Sequence, residues 1–371
     1  MAGIKRLIAA GALAAVPLVP GLPVPSPGEH RLPPNESPAS HARSHPAPTP
    51  RARRICNRYA APWGSNRGRG TASSPFRTPK RLVHALRSGK TGCLRAGTYR
   101  QREVKLKRDG ITLRSSPGER ATIRGRVVLE GNHDGLYHLT LDGSAGPRCP
   151  EQSCGTLPSP TINGSDARVF GNDITSPRSG ICVATKAWDG HVPNRFRIVG
   201  NRVHDCGRLP PTEHDHGIYI ADARGGLIRD NVVFDNADRG IQLFPNARST
   251  VVEHNTVDGN GSGIVFSLES SSNAVRHNVF SNSVVRWNAE SFQLTGLGNR
   301  FVGNCVRAGN PDSAYDVDGG VALPRIVKIA RDRAASDGVY VDRSASDYRI
   351  AWGSACAGEG APASVARPTG R

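Results

Sequence analysis

The sequence predicts an all-β chain wound into a coil of stacked parallel strands, and three observations carry that expectation. The first is an internal repeat. The segments VFGNDI, IVGNRV, IRDNVV, VEHNTV, VRHNVF and FVGNCV align on Asn172, Asn201, Asn231, Asn255, Asn278 and Asn304, which are spaced by 29, 30, 24, 23 and 26 residues. Three residues before these asparagines stand Val169, Ile198, Ile228, Val252, Val275 and Phe301; two after stand Ile174, Val203, Val233, Val257, Phe280 and Val306. The second is another set of short strands, GICVA, GIYIA, GIQLF and GIVFS, with SFQLT as a variant. Their period of two predicts one inward column of Ile181, Ile218, Ile241, Ile264 and Phe292 and a second of Val183, Ile220, Leu243, Phe266 and Leu294. The third is composition. With 42 glycines, 28 prolines, 5% aromatics and no G-X-Y period, the chain reads as turn-rich β structure rather than collagen.

Stacking explains the register of the asparagines. At one bend of every turn, an amide side chain can hydrogen-bond the turns above and below, satisfying polar groups that the bend buries. A helical solenoid fits poorly, because each apolar run is only four to six residues and rich in β-branched side chains. A β-sandwich would leave six asparagines in register without a reason.

Before the coil, Lys5 and Arg6 precede an apolar run from Leu7 to about Val19, the pattern of a secretory signal over residues 1–25. The run is too short for an ordinary transmembrane helix, so no membrane-spanning segment is expected in the mature chain. Residues 26–54 follow as a proline-rich, unstructured spacer; nine prolines fall between Pro23 and Pro50. Between Arg51 and Gly110, seventeen cations face only Glu103 and Asp109, so this stretch carries +15 of the chain's +18. The body beyond it is nearly neutral and has no basic stripe interleaved with aromatics, which argues against a nucleic-acid partner. Eight cysteines behind an export signal suggest disulfides, and proximity along the chain pairs Cys56 with Cys93, Cys149 with Cys154, Cys182 with Cys206 and Cys305 with Cys356. The absence of any C-x2-C pair argues against a cysteine metal centre.

At these residues the chain resembles the secreted right-handed parallel β-helix proteins of the pectate lyase-like superfamily, the actinobacterial β-helix repeat proteins in particular. CNRYAAPWGSNRGRGTASSPFRTPKRLVHALRSGKTGCLRAGTY resembles the family's N-terminal cap, with a short amphipathic helix around Arg81 to Arg87. DYRIAWGSAC at 347–356 resembles its closing segment, and HDHGIYI and ADRGIQLF look like family segments. The resemblance implies a single-stranded right-handed β-helix with a basic cap at 55–104, a coil with its closing segment at 105–356 and a flexible tail at 357–371. The superfamily includes lyases, hydrolases, epimerases and noncatalytic adhesins, so fold alone does not settle function.

Stacked turns can gather distant polar residues, since neighbouring strands lie about 4.8 Å apart. Asp205 and Asp235 stand four residues after successive asparagines, while Asp215–His216 and Asp238–Arg239 precede successive glycines of the second strand set. These five, Asp205, Asp235, Asp215, His216 and Arg239, are the candidate catalytic residues. A stretch of about eight extra residues, Gly207 to His214, supplies Glu213 and His214 as a wall, and Lys186, Tyr219 and Asp238 complete the expected substrate contacts. Paired carboxylates, one with a raised pKa, suit glycosidic hydrolysis. In a uronate polymer, His216 or Lys186 could instead take the proton beside the carboxylate, with Arg239 neutralising the acid and Tyr219 donating a proton. Asp and Asn also cap turns throughout such coils. Calcium is a conceivable cofactor through Asp205, Asp215, Asp235 and Asp238, although no dedicated calcium loop or other metal site is legible. The expected protein is a secreted, monomeric polysaccharide lyase or glycoside hydrolase acting on an acidic or neutral glycan. The alternative is a noncatalytic β-helix that binds carbohydrate or the glycans of a cell envelope.

Overall fold

The structure, a computed structural model, describes residues 55–150, 155–186, 191–307, 320–335 and 338–368. The expected signal and spacer, and Cys154, lie outside the described residues.

The chain forms a coil with three faces, each a stack of parallel strands. Face one contains eleven strands from Arg58–Ala60 to Lys328–Ala330. Its inward column runs in register through Leu113, Leu136, Val169, Ile198, Ile228, Val252, Val275 and Phe301, all fully buried. Face two carries Ile123, Leu141, Ile174, Val203, Val233, Val257, Phe280 and Val306 inward. Face three places Val183, Ile218, Ile241, Ile264 and Ala289 in one column. Its second column holds Thr185, Ile220, Leu243, Phe266 and Ser291. In the first turns, the long strands Gly97–Leu106 and Ala121–Leu129 run through the corner and join faces two and three.

The expected columns of face three are therefore right in the middle and wrong at both ends. Ile181 lies two residues before the column, and the last strand is Ala289–Phe292 rather than SFQLT. Phe292 is 40% exposed. The slip is two residues at Ile181, which leaves the inward set unchanged, and three at Phe292, where Ala289 pairs with Ile264 and the odd shift turns Phe292 outward.

The asparagine ladder forms as expected. The backbone N–H and Nδ2 of Asn172 both donate to Asn201 Oδ1, at 2.9 and 3.0 Å, and the pattern repeats through Asn231, Asn255, Asn278 and Asn304. It ends on Asp332 Oδ1, at 2.7 and 3.0 Å. Two further ladders occupy the other corners: Asn236 on Asn260, and Asn273 on Asn299. The Asn236–Asn260 ladder explains the glycines that open two of the GI strands, Gly217 and Gly240. A Cβ on Gly217 or Gly240 would stand 2.8 Å from Nδ2 of Asn236 or Asn260, so the corner amides occupy the space a side chain would need.

Helix α1, Pro79–Ala85, closes the N-terminal end. Thr78 caps it by accepting from Arg81 N at 3.2 Å, Pro79 begins it, and Leu82 and Val83 bury its inner face. The described C-terminal residues pack along the side of the coil. A hairpin of Tyr340–Asp342 and Asp347–Ile350 lies on the outside of face two, where Tyr348, Ala361 and Ala366 cover Val232 and Phe234. Three of the expected disulfides are present, Cys56–Cys93, Cys182–Cys206 and Cys305–Cys356, with Cα separations of 5.6, 5.7 and 5.4 Å. Cys149 is also disulfide-bonded.

The flexible tail needs correction over residues 357–368. Gly360 N donates to His277 O, Ala361 N to Thr256 Oγ1, and Arg202 Nη1 to the carbonyls of Val365 and Arg367. Helix α2, Ala363–Ala366, buries Ala366 completely. The chain continues past Cys356 because face two still has apolar side chains to cover.

Candidate functional site

The outer surfaces of the three faces differ. Face one holds Glu253 outward between Arg229 and Arg276, which both pair with it, as expected of a solvated sheet. Face two lies under the C-terminal strap. Face three is walled by the 207–214 loop and residues 284–287, leaving a groove over its outward residues.

The floor of that groove follows from strand register. Tyr219, Gln242, Val265 and Glu290 point outward in one column, and Arg239 and Ser262 form the neighbouring one. One hollow of about 430 Å³ is lined by Glu213, His214, His216, Tyr219, Arg239 and Gln242, among others. A second, of about 260 Å³, shares Glu213 and Arg239 and adds Ser262 and Arg286. A third, of about 570 Å³, shares Tyr219 and Phe244 and adds Arg126, Lys186 and Asp222.

His216 is 3% exposed, and among the described residues its Nδ1, buried from solvent, has no hydrogen-bond partner. Its ring leans on Tyr219, with centroids 5.4 Å apart, and Tyr219 leans on Phe244 at 6.0 Å. Burial, followed by the charges of Arg239 and His214, holds the imidazole well below its ordinary pKa, so it is neutral at neutral pH. Burial raises the Tyr219 phenol, which stays protonated.

Arg239 donates from Nη1 to Glu213 O at 2.8 Å, and its Nη2 lies 3.6 Å from Glu213 Oε2. Arg286 bonds the other oxygen of the same carboxylate. Two guanidinium groups thus converge on one carboxylate beside the neutral imidazole. Glu290 accepts from Ser262 Oγ at 2.7 Å. Burial raises its carboxyl above the usual value despite that hydrogen bond and the nearby Arg286 and Arg239.

The five expected catalytic residues do not form one constellation. Asp205 and Asp235 occupy left-handed bend positions, φ 52° and 51°, the same register as Gly259 and Asn282. Such a bend favours Asp, Asn and Gly. None of their hydrogen bonds or ion pairs reaches His216 or Arg239. Asp205 pairs with His204 Nδ1 at 2.7 Å, and His204 Nε2 contacts Asp173 at 3.2 Å. Asp235 faces Arg343 of the strap at 3.9 Å, while buried Asp258 accepts from Arg343 Nε at 2.5 Å. Burial, then repulsion from Asp258, pushes the Asp235 carboxyl up to about 6. One member of the pair is thus raised, as hydrolysis would require, but the pair sits where the strap is held.

Asp215 and Asp238 anchor the wall of the groove. Asp238 accepts from the backbone N–H groups of Glu213, at 2.9 Å, and Asp215, at 2.7 Å; Asp215 accepts from Arg208 N and Nε, at 3.1 and 2.6 Å. With Asp205 and Asp235 at the strap and Asp215 and Asp238 under the loop, the four expected calcium ligands do not fit one ion. Among the described residues no three His, Cys, Asp or Glu side chains group to hold a metal.

Glu290, Gln242, Ser262 and Arg286 escaped the sequence reading. Glu290 had a usable signal: it occupies the outward column once Ala289, three residues before Phe292, is paired with Ile264.

A family model for the right handed beta helix region matches residues 161–307. No curated protein matches the chain by sequence. The structure is similar to that of pectate lyase Pel9A, with 13% identity, a TM-score of 0.61, and coverage of 80% of this chain and 90% of that one. A rhamnogalacturonan lyase has 10% identity and a TM-score of 0.48 over 79% of this chain and 92% of that one. The complex of XylC with xylose has 12% identity and a TM-score of 0.48 over 68% and 70%. The chain is a right-handed parallel β-helix protein.

Proposed function

We propose that this chain is an extracellular polysaccharide lyase that cleaves an acidic glycan by β-elimination. The observation that carries the reading is a neutral, unpartnered imidazole, His216, beside two arginines that already hold a carboxylate in the groove of face three. A uronate carboxylate takes the place of Glu213 against Arg239 and Arg286, which stabilise the charge that develops when the adjacent C5–H breaks. The proton passes to a ring nitrogen of His216, the electron pair forms the C4–C5 double bond, and the C4–O bond breaks. Tyr219 supplies the proton to the leaving oxygen. Neutralising Arg239 also removes the largest charge that depresses His216, so substrate binding makes the base stronger.

Export is supported by the disulfides and by the signal-like N-terminus. The described residues contain no helix long and apolar enough to cross a membrane. A second reading, hydrolysis, is favoured by one observation, the raised carboxyl of Glu290 near Glu213.

A panel of polygalacturonate, alginate and neutral xylan separates the readings when digests are read by reducing ends and by ultraviolet absorbance of unsaturated ends. The lyase reading predicts both signals on an acidic polymer and neither on xylan. Reducing ends without ultraviolet absorbance would favour hydrolysis, and silence on every polymer would favour a noncatalytic glycan-binding role.

A further inference from the structure

The basic cap carries charge that the groove chemistry does not use. A hollow of about 950 Å³ beside helix α1 is lined by Lys80, Arg102, Lys105, Lys107 and Arg108, with Glu103 as its one carboxylate. Lys80, Arg102 and Lys107 are exposed, and none of them has a carboxylate partner among the described residues. Lys105 is shared by Glu103 and Glu130, and Arg108 donates to the carbonyls of His84 and Leu86. The side-chain oxygen of Gln101, buried without a partner, also lines the hollow.

This hollow lies on the same face as the candidate site. Strand register runs outward from Lys105 to Val128, Thr161, Ala184 and Tyr219, one residue per turn. Four turns separate Lys105 from Tyr219, about 19 Å at ordinary strand spacing. Leu157 lines both this hollow and the one that contains Lys186, Tyr219 and Phe244, so the cap opens onto the central groove.

We infer that the cap hollow is a remote subsite for the same acidic polysaccharide, holding a stretch of chain several sugars away from the bond that breaks. The inference rests on the lyase reading for the identity of the polymer, but the binding itself does not require turnover. Exposed, unpaired cations at a fixed distance along one face suit a long regular polyanion, while the shortage of aromatic platforms in the hollow disfavours single-stranded nucleic acid. A short oligomer spanning only the His216 hollow cannot reach Lys107, so the cap contributes only for long chains.

The test compares Arg102→Glu/Lys107→Glu with the parent protein on polygalacturonate, alginate, their trimers and duplex DNA, at low and high salt. Binding is measured by titration calorimetry with the inactive His216→Gln background, and turnover with His216 intact. Loss of two exposed ion-pair contacts predicts roughly three- to tenfold weaker binding of the acidic polymer at low salt, with trimer affinity unchanged and the difference fading at high salt. Turnover should show the same rise in KM for polymer with kcat unchanged, and Arg102→Lys/Lys107→Arg should restore parent behaviour. An equal effect on trimers, no effect on polymer, or tighter binding of duplex DNA than of either polymer would overturn the inference. Polymer binding that depends on the cap without any turnover would instead retain the subsite and reject the lyase reading.

Discussion

His216 is chemically unusual because the fold buries it without giving it a partner. Its ordinary pKa of 6.5 is lowered by burial first and then by Arg239 and His214. The kcat/KM profile on an acidic polymer should therefore show no acid limb near 6.5; an inflection there would assign the base elsewhere. His216→Gln should reduce kcat by at least about 100-fold with little change in thermal midpoint. Glu213→Gln should lower KM for acidic substrate, since the loop carboxylate then competes less for Arg239 and Arg286. His204 behaves oppositely. Burial pulls its pKa down, but hydrogen bonds to Asp173 and Asp205 dominate and raise it from 6.5 to about 9. Because the folded value is raised, its contribution to stability is full below 6.5 and is lost as pH rises through about 9. Thermal midpoints of parent and His204→Phe should accordingly differ below pH 6.5 and converge above about 9. At this scale His216 and Arg239 were legible as the residues before the recurring GI strand and Tyr219 as one within it, and the three line one hollow. Asp205 and Asp235 were expected beside them, whereas the fold holds these two at left-handed bends, a conformation that favours aspartate whether or not chemistry follows.

The asparagine ladders are the elements that make the coil regular. Asn231 accepts from the backbone and side-chain N–H groups of Asn201 and donates to Ile198 O and Asn255 Oδ1, all within a fully buried corner. Asn231→Ala orphans these groups together, and chemical denaturation should show a loss of about 2–4 kcal/mol. Gly263→Ala should destabilise for a different reason, since its Cβ would stand 2.1 Å from Asn288 O, a backbone atom that cannot move aside without the strand. The first ladder was visible because its asparagine sits between two apolar columns. The corner amides Asn236 and Asn260 were not, because the adjoining glycines give no sign of what displaces their side chains. The slip at SFQLT arose similarly, because Phe292 and Leu294 match the apolar pattern better than Ala289 and Ser291, which hold the inward places three residues earlier.

For the whole molecule, the decisive feature is which face remains open. The strap covers face two, tethered by Cys305–Cys356 and by Arg343 on Asp258. Removing residues 339–371 should expose Val232, Phe234 and Val279 and promote aggregation, visible by light scattering, while the groove of face three keeps its residues. This packing was illegible in the sequence, since residues after Cys356 have no repeat pattern and are rich in Ala, Gly and Pro. The coil itself was legible because stacking imposes the same demands on every turn, whereas the strap meets them once. The chemistry proposed for the groove of face three breaks an acidic glycan by elimination rather than by adding water. Mass spectra of a limit digest test it most directly: the account predicts fragments one water lighter at their new non-reducing ends, lost in His216→Gln, and fully saturated fragments would contradict it.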